Sequence, residues 1–193
     1  AERNAALRPN KELQRKQALE ALPKDGVLLI QNESQIKVIN KKSIHKINTD
    51  EEIQLKKDTI ITNLMLNIKN ETRVLIITEK GKIGLLKWEF TGTKTNLVNR
   101  LLPSGLENEK IIKFIPLDKT KGKTLGLLTS DGRFKRLALE DLDISNRSTS
   151  ILKLKENVFV KSVFLCDNNN QILIGTSLGR ILKMNVNDNN FPI

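Results

Sequence analysis

Basic side chains return at one point of a repeated pattern. In four stretches of the chain an apolar run is followed by a turn and then by a lysine or arginine. These are Lys37, Lys82, Arg133 with Lys135 and Arg136, and Arg180 with Lys183. Cations at a regular spacing suit a surface that neutralises phosphates, since each contact releases counterions and needs no base edge to read. The intervening segments add Lys41, Lys42, Lys56, Lys57, Lys87, Lys94, Arg100, Lys121, Lys123 and Arg147. Any one of these is explained as well by a solvated surface charge. Their recurrence at the same place after each turn points to nucleic acid.

The count of basic residues carries less weight than their positions. The 193 residues hold 33 Lys+Arg against 22 Asp+Glu, a formal charge of +11. Yet 24 Lys, 20 Asn and 21 Ile form a set that an AT-rich coding sequence would favour on its own. Such a bias leaves unexplained why acidic residues do not keep pace.

Catalytic chemistry is poorly provided for. With no tyrosine, phenolic nucleophiles are excluded, covalent attack on a DNA phosphate among them. One histidine, His45, and one cysteine, Cys166, give neither a metal-ligand cluster nor an intramolecular disulfide. Asp141 and Asp143 read as loop solvation, and no cofactor is expected in this domain. Trp88 could stack on a base, but its place after an apolar run makes it a core residue. No apolar run nears the roughly 20 residues of a membrane span, and the first residues lack the pattern of a secretory leader. A reducing, cytoplasmic setting fits.

The elements that must hold these cations repeat without gaps. Residues 27–39, 74–86, 125–137 and 172–184 align, their starts spaced by 47, 51 and 47 residues. A period of this size means a solenoid, a propeller or an array. Each unit reads as an apolar strand, a tight turn, then a second strand. Gly81, Gly132 and Gly179 stand where the turn needs positive φ, and Ser34 in the first unit suggests a looser turn. Consecutive Val, Ile and Leu in the first strands are expected of strands buried on both faces. Further strand candidates lie at 53–66, 110–117 and 151–165, which makes four strands per unit, the content of a propeller blade. Residues 1–25 differ: a short helix follows Asn10 as N-cap, with Leu13, Leu19 and Leu22 as a sparse apolar face ending at Pro23. They form a helical connector before an all-β domain over 26–193.

The third and fourth units carry a more specific pattern. Leu125-Gly-Leu-Leu-Thr-Ser-Asp-Gly-Arg-Phe-Lys-Arg is followed by Leu139-Glu-Asp-Leu, Asn146-Arg-Ser, Ser150-Ile-Leu-Lys-Leu-Lys-Glu-Asn and Gln171-Ile-Leu-Ile-Gly-Thr. In order and spacing this resembles the C-terminal domain of the A subunit of bacterial type IIA topoisomerases, DNA gyrase and topoisomerase IV. The resemblance runs from about residue 26 to the end. It implies a β-pinwheel, a propeller-like array of four-stranded blades, and a non-catalytic role in binding and bending or wrapping double-stranded DNA. The implied partners are the A-subunit core, which cleaves DNA, and a B subunit that hydrolyses ATP with Mg2+. The implied location is the bacterial cytoplasm, at the nucleoid.

Two departures qualify the resemblance. Gyrases carry a glutamine-arginine-arginine-glycine-glycine-lysine-glycine box in the first blade. The corresponding Ile47-Asn-Thr-Asp-Glu-Glu-Ile-Gln-Leu-Lys-Lys-Asp58 has neither paired arginines nor glycines, which moves the resemblance toward topoisomerase IV or a divergent gyrase-like paralogue. The family also has more blades, typically five or six, so the chain is expected to be a fragment of a larger subunit or a short domain. The alternative class is a propeller-like protein-interaction scaffold without a topoisomerase role. It would call for aromatic anchors, and aromatics make up only 4% of the chain.

Overall fold

The computed structural model describes residues 10–46 and 63–193. Helix α1 spans Lys11–Glu20. Asn10 caps it as expected, its side-chain oxygen accepting from the Glu12 N–H at 3.0 Å, and Glu12 in the first turn complements the helix dipole. The expected apolar face is narrower than the leucine spacing implies: Leu13 is exposed, Leu19 half-buried and Leu22 buried. A polar clasp supplements it. Arg15 pairs with Glu89 at 3.2 Å and donates to the Asn70 carbonyl at 2.7 Å.

Among the described residues thirteen strands follow in chain order: β1 (Gly26–Gln31), β2 (Gln35–Asn40), β3 (Asn63–Asn67), β4 (Val74–Thr78), β5 (Lys82–Leu85), β6 (Asn96–Leu97) and β7 (Ile111–Pro116). Then come β8 (Thr124–Thr129), β9 (Phe134–Ala138), β10 (Thr149–Ser150), β11 (Val160–Cys166), β12 (Gln171–Gly175) and β13 (Ile181–Asn185). All pairings are antiparallel, in sheets ordered β3-β1-β2-β6, β10-β5-β4-β7, β11-β8-β9 and β12-β13. The four repeats are the four hairpins β1-β2, β4-β5, β8-β9 and β12-β13. The sheets do not coincide with the sequence units. β6 follows the second hairpin but pairs with β2 of the first, and β10 follows the third hairpin but pairs with β5 of the second. Each of the first two sheets is thus completed by a two-residue strand from the next repeat.

The expected glycine turns are present, with Gly81, Gly132 and Gly179 at φ of 73°, 82° and 77°. The first turn is of another type rather than looser. Its left-handed residues are Asn32 and Glu33, at φ of 50° and 57°, so Ser34 is spared the conformation that glycine supplies elsewhere.

Two compact units divide the chain, one comprising 1–72 and 86–102, the other 73–85 and 103–193. In the first, β1 is buried along nearly its whole length, with Ile36, Val38, Ile68, Val98 and Leu101 also buried. Trp88 is a core residue there, 2% exposed, and its indole N–H donates to the Thr72 carbonyl at 2.8 Å. In the second, Leu75, Ile77, Ile115, Leu125, Leu127 and Val163, drawn from β4, β7, β8 and β11, belong to one hydrophobic cluster. A smaller cluster joins Cys166, Ile172 and Val186 to Phe134, Phe164 and Phe191. Burial pushes the Cys166 thiol up, against the opposing pull of Arg136.

The side of the third hairpin illustrates an exchange of volume. Where the first two hairpins place Leu28 with Ile36 and Leu75 with Ile83, the third has Gly126 with Phe134. A Cβ at Gly126 would stand 2.7 Å from Cys166 Sγ and 2.9 Å from Phe134 Cζ, so the absent side chain makes room for the ring. The fourth hairpin departs from the expectation of a first strand buried on both faces. β12 alternates, with Ile172 buried and Leu173 69% exposed, and Ile181 on β13 is 75% exposed. Among the described residues β12 has one strand beside it, whereas β1, β4 and β8 each lie between two.

Candidate nucleic-acid interface

Period-two alternation explains how a run of basic residues is sorted. In Arg133-Phe134-Lys135-Arg136 successive side chains leave opposite faces of β9 and its approach. Arg133 and Lys135 are exposed, while Arg136 is fully buried. The Arg136 guanidinium donates to Thr124 Oγ1 at 3.2 Å, Asn168 Oδ1 at 2.6 Å, Asp188 Oδ1 at 2.9 Å and the Phe191 carbonyl at 3.0 Å. Its assignment as a phosphate contact is therefore corrected: Arg136 is a structural cross-tie of the second unit.

Lys82 is also engaged, its ammonium 2.8 Å from Glu109 Oε1. The Glu109 side chain is only 7% exposed and accepts a second bond from the Thr78 hydroxyl at 2.6 Å. Lys82 serves first as counter-ion to a buried carboxylate.

The remaining cations are arranged by unit. In the first, Lys37 is half-buried on β2, and Lys41, Lys42, Lys87, Lys94 and Arg100 are exposed. In the second, Lys121, Arg133, Lys135, Arg147, Arg180 and Lys183 are exposed and Lys123 is half-buried. Lys56 and Lys57 lie outside the described residues, as does the 47–58 stretch. Among the described residues, no group of three or more His, Cys, Asp or Glu side chains is placed to hold a metal ion.

Two concave sites in the second unit gather cations. One, a cavity of about 460 Å3, is lined by Arg73, Lys121 and Lys123. The other, a groove of about 360 Å3, brings Arg133 and Lys135 together with Lys153 and Lys155. Its apolar lining includes Phe134, Leu152, Leu154 and Val158. Arg73, Lys153 and Lys155 do not belong to the repeated pattern, since all lie outside the hairpins. A signal existed for two of them. In Leu152-Lys153-Leu154-Lys155 the leucines pack on the core cluster and both lysines are exposed, the alternation of an extended segment with one wet side. At the groove, Asp131 Oδ2 lies 3.2 Å from Arg133 Nε. The Thr129 hydroxyl, donating to Asp131 Oδ1, holds that carboxyl below its ordinary range, helped by Arg133 and Lys155.

Hairpins that trade short strands with the preceding sheet, edged by exposed cations, define a repeat-built all-β domain of the propeller type. The family described as DNA gyrase C-terminal domain, beta-propeller, matches residues 127–167 and 170–188. Solved structures match over more of the chain. The C-terminal domain of DNA topoisomerase IV aligns with TM-score 0.60 at 19% identity, covering 83% of this chain and 51% of that one. The E. coli ParC C-terminal domain gives 0.58 at 12%, covering 84% and 65%. A DNA gyrase A C-terminal domain gives 0.51 at 21%, covering 84% and 55%. The chain spans about half to two-thirds of the length of these structures, and no curated protein matches it. The fold is that of the C-terminal β-pinwheel domains of type IIA topoisomerase A subunits, as the sequence resemblance implied.

Among the described residues no helix is long and apolar enough to cross a membrane.

Proposed function

We propose that this chain is a non-catalytic domain of a bacterial type II topoisomerase A subunit that binds and bends or wraps double-stranded DNA without regard to sequence. In the holoenzyme it positions DNA for strand passage, while the A-subunit core cleaves and an ATPase B subunit, using ATP and Mg2+, drives the cycle. Its setting is the cytoplasm, at the nucleoid.

The observation that carries the reading is the exposure of cations where the second strand of a hairpin opens. Arg133 and Arg180 stand at one position of the third and fourth repeats and are both exposed, Lys135 is exposed at the position where the first repeat has the half-buried Lys37, and Lys183 is exposed three residues beyond Arg180. Cations held on and just before the second strands of the hairpins can track a phosphate backbone, which is what sequence-independent bending needs.

Binding of the full chain to short linear duplexes of unrelated sequence, read by mobility shift over a salt series, tests the reading. The expected result is equal affinity for each duplex, falling with salt by about 0.9 in log–log slope per phosphate neutralised. Absence of binding at low salt would favour the scaffold instead.

A further inference from the structure

The groove beside the third hairpin holds four cations, Arg133, Lys135, Lys153 and Lys155, and a single acidic side chain, Asp131. Asp131 is fixed at both oxygens. Oδ1 accepts from the Thr129 hydroxyl, and Oδ2 lies 3.2 Å from Arg133 Nε. Its side chain is 29% exposed, that of Arg133 65%, so both partners remain within reach of solvent. A carboxylate so placed offers Arg133 the oxygens and the single negative charge that a DNA phosphate diester would offer.

Turn-making alone does not account for the carboxylate. The residue just before the turn glycine is Lys80 in the second hairpin and Leu178 in the fourth, and both of those glycines have the same left-handed backbone as Gly132. The repeat builds this turn with a cation or an apolar side chain as readily as with an acid. At the third hairpin four cations line the groove around the position.

We propose that this groove is a seat for a backbone phosphate of duplex DNA, and that the Asp131 carboxylate occupies it in the free protein as an intramolecular counter-ion. The proposal rests on the DNA-binding reading above and adds two residues to it, Lys153 and Lys155. Docking exchanges one anion for another at Arg133, so that step releases little salt, while the neighbouring lysines keep the incoming strand in place. Asp131 thereby limits both the affinity of the site and its salt dependence.

Replacing the carboxylate tests this in the full chain. Asp131→Asn keeps a side chain favoured before a turn glycine, and Asp131→Leu installs what the fourth hairpin already carries, so the turn has two independent routes to survival. Each variant is titrated with the same duplex over the salt series, in the wild-type background and with Arg133→Gln. The expected result is tighter binding at low salt by about two- to fivefold, the scale of one exposed ion pair, and a salt slope steeper by up to about 0.9. Both effects should vanish in the Arg133→Gln background. Salt-sensitive binding by the wild type with no gain, or a weakening, in both Asp131 variants overturns the counter-ion and leaves the DNA-binding reading standing. If the wild type does not bind, both fall. Unchanged affinity on replacing Lys153 and Lys155 together by Ala would remove the seat.

Discussion

A guanidinium has five N–H donors and no acceptor, so burying one requires oxygens set around it. Arg136 finds them on Thr124, Asn168, Asp188 and the Phe191 carbonyl, residues far apart in sequence and silent about the pairing until the chain has folded. Alternation along β9 and its approach separates Arg133 and Lys135 from Arg136, whereas Arg180 and Lys183, three residues apart, are both exposed. The oxygens around Arg136 were not legible in the sequence. Arg136→Met should therefore destabilise the full chain by about 1–3 kcal/mol, since the buried Thr124 hydroxyl and the Phe191 carbonyl lose a donor while Asp188, its side chain 67% exposed, turns to water, as measured by denaturant unfolding. Arg133→Ala should stay within about 0.5 kcal/mol of wild type yet weaken DNA binding. Asp131 supplies a check at the same scale. Its carboxyl is held below the ordinary value of 3.8, so its contribution to the turn is complete above that pH and is lost as the pH falls through the lower folded value. A carbon-13 NMR titration of the full chain should place its midpoint below 3.8.

The hairpin is the element that the sequence exposes most directly. Its signal is local: an apolar run, a turn residue with positive φ, a second run in register. The expected hairpins all form, and so does the capped helix. Strand exchange is not legible in the same way, because β6 and β10 are two residues long and pair with strands more than fifty residues away, β6 with β2 and β10 with β5. Neither carries a periodicity that could be read. Composition also hid the compensation between Gly126 and Phe134, which becomes visible only when β8 and β9 lie side by side. Gly126→Ala should cost about 1–3 kcal/mol by overpacking, measured by thermal or denaturant unfolding. Combining it with Phe134→Leu should recover part of that cost, because the atoms nearest the new Cβ include the far end of that ring; simple additivity of the two substitutions would show that Cys166 Sγ alone sets the limit.

For the molecule as a whole, the cations of each unit can be counted by their effect on salt dependence. Removing Arg133, Lys135, Lys153 and Lys155 together should flatten the log–log slope by at most about 3–4, at roughly 0.9 for each phosphate no longer neutralised, and by less to the extent that Asp131 already neutralises Arg133. How the bound duplex is deformed is a separate question, because a planar bend leaves linking number alone and a chiral wrap changes it. A bend of 20–30 base pairs costs on the order of 1–6 kcal/mol, within reach of several exposed ion pairs at about 0.2–1 kcal/mol each. Handed wrapping asks for more than favourable contacts, since the path must leave one side of the domain. The sequence of 47–58 lacks the paired arginines and glycines that mark the gyrase box, so nicked circles religated in the presence of this chain should show salt-sensitive binding with unchanged linking number. A linking-number change that disappears with the four groove substitutions would instead mean that cations on the hairpins can impose handedness without the box.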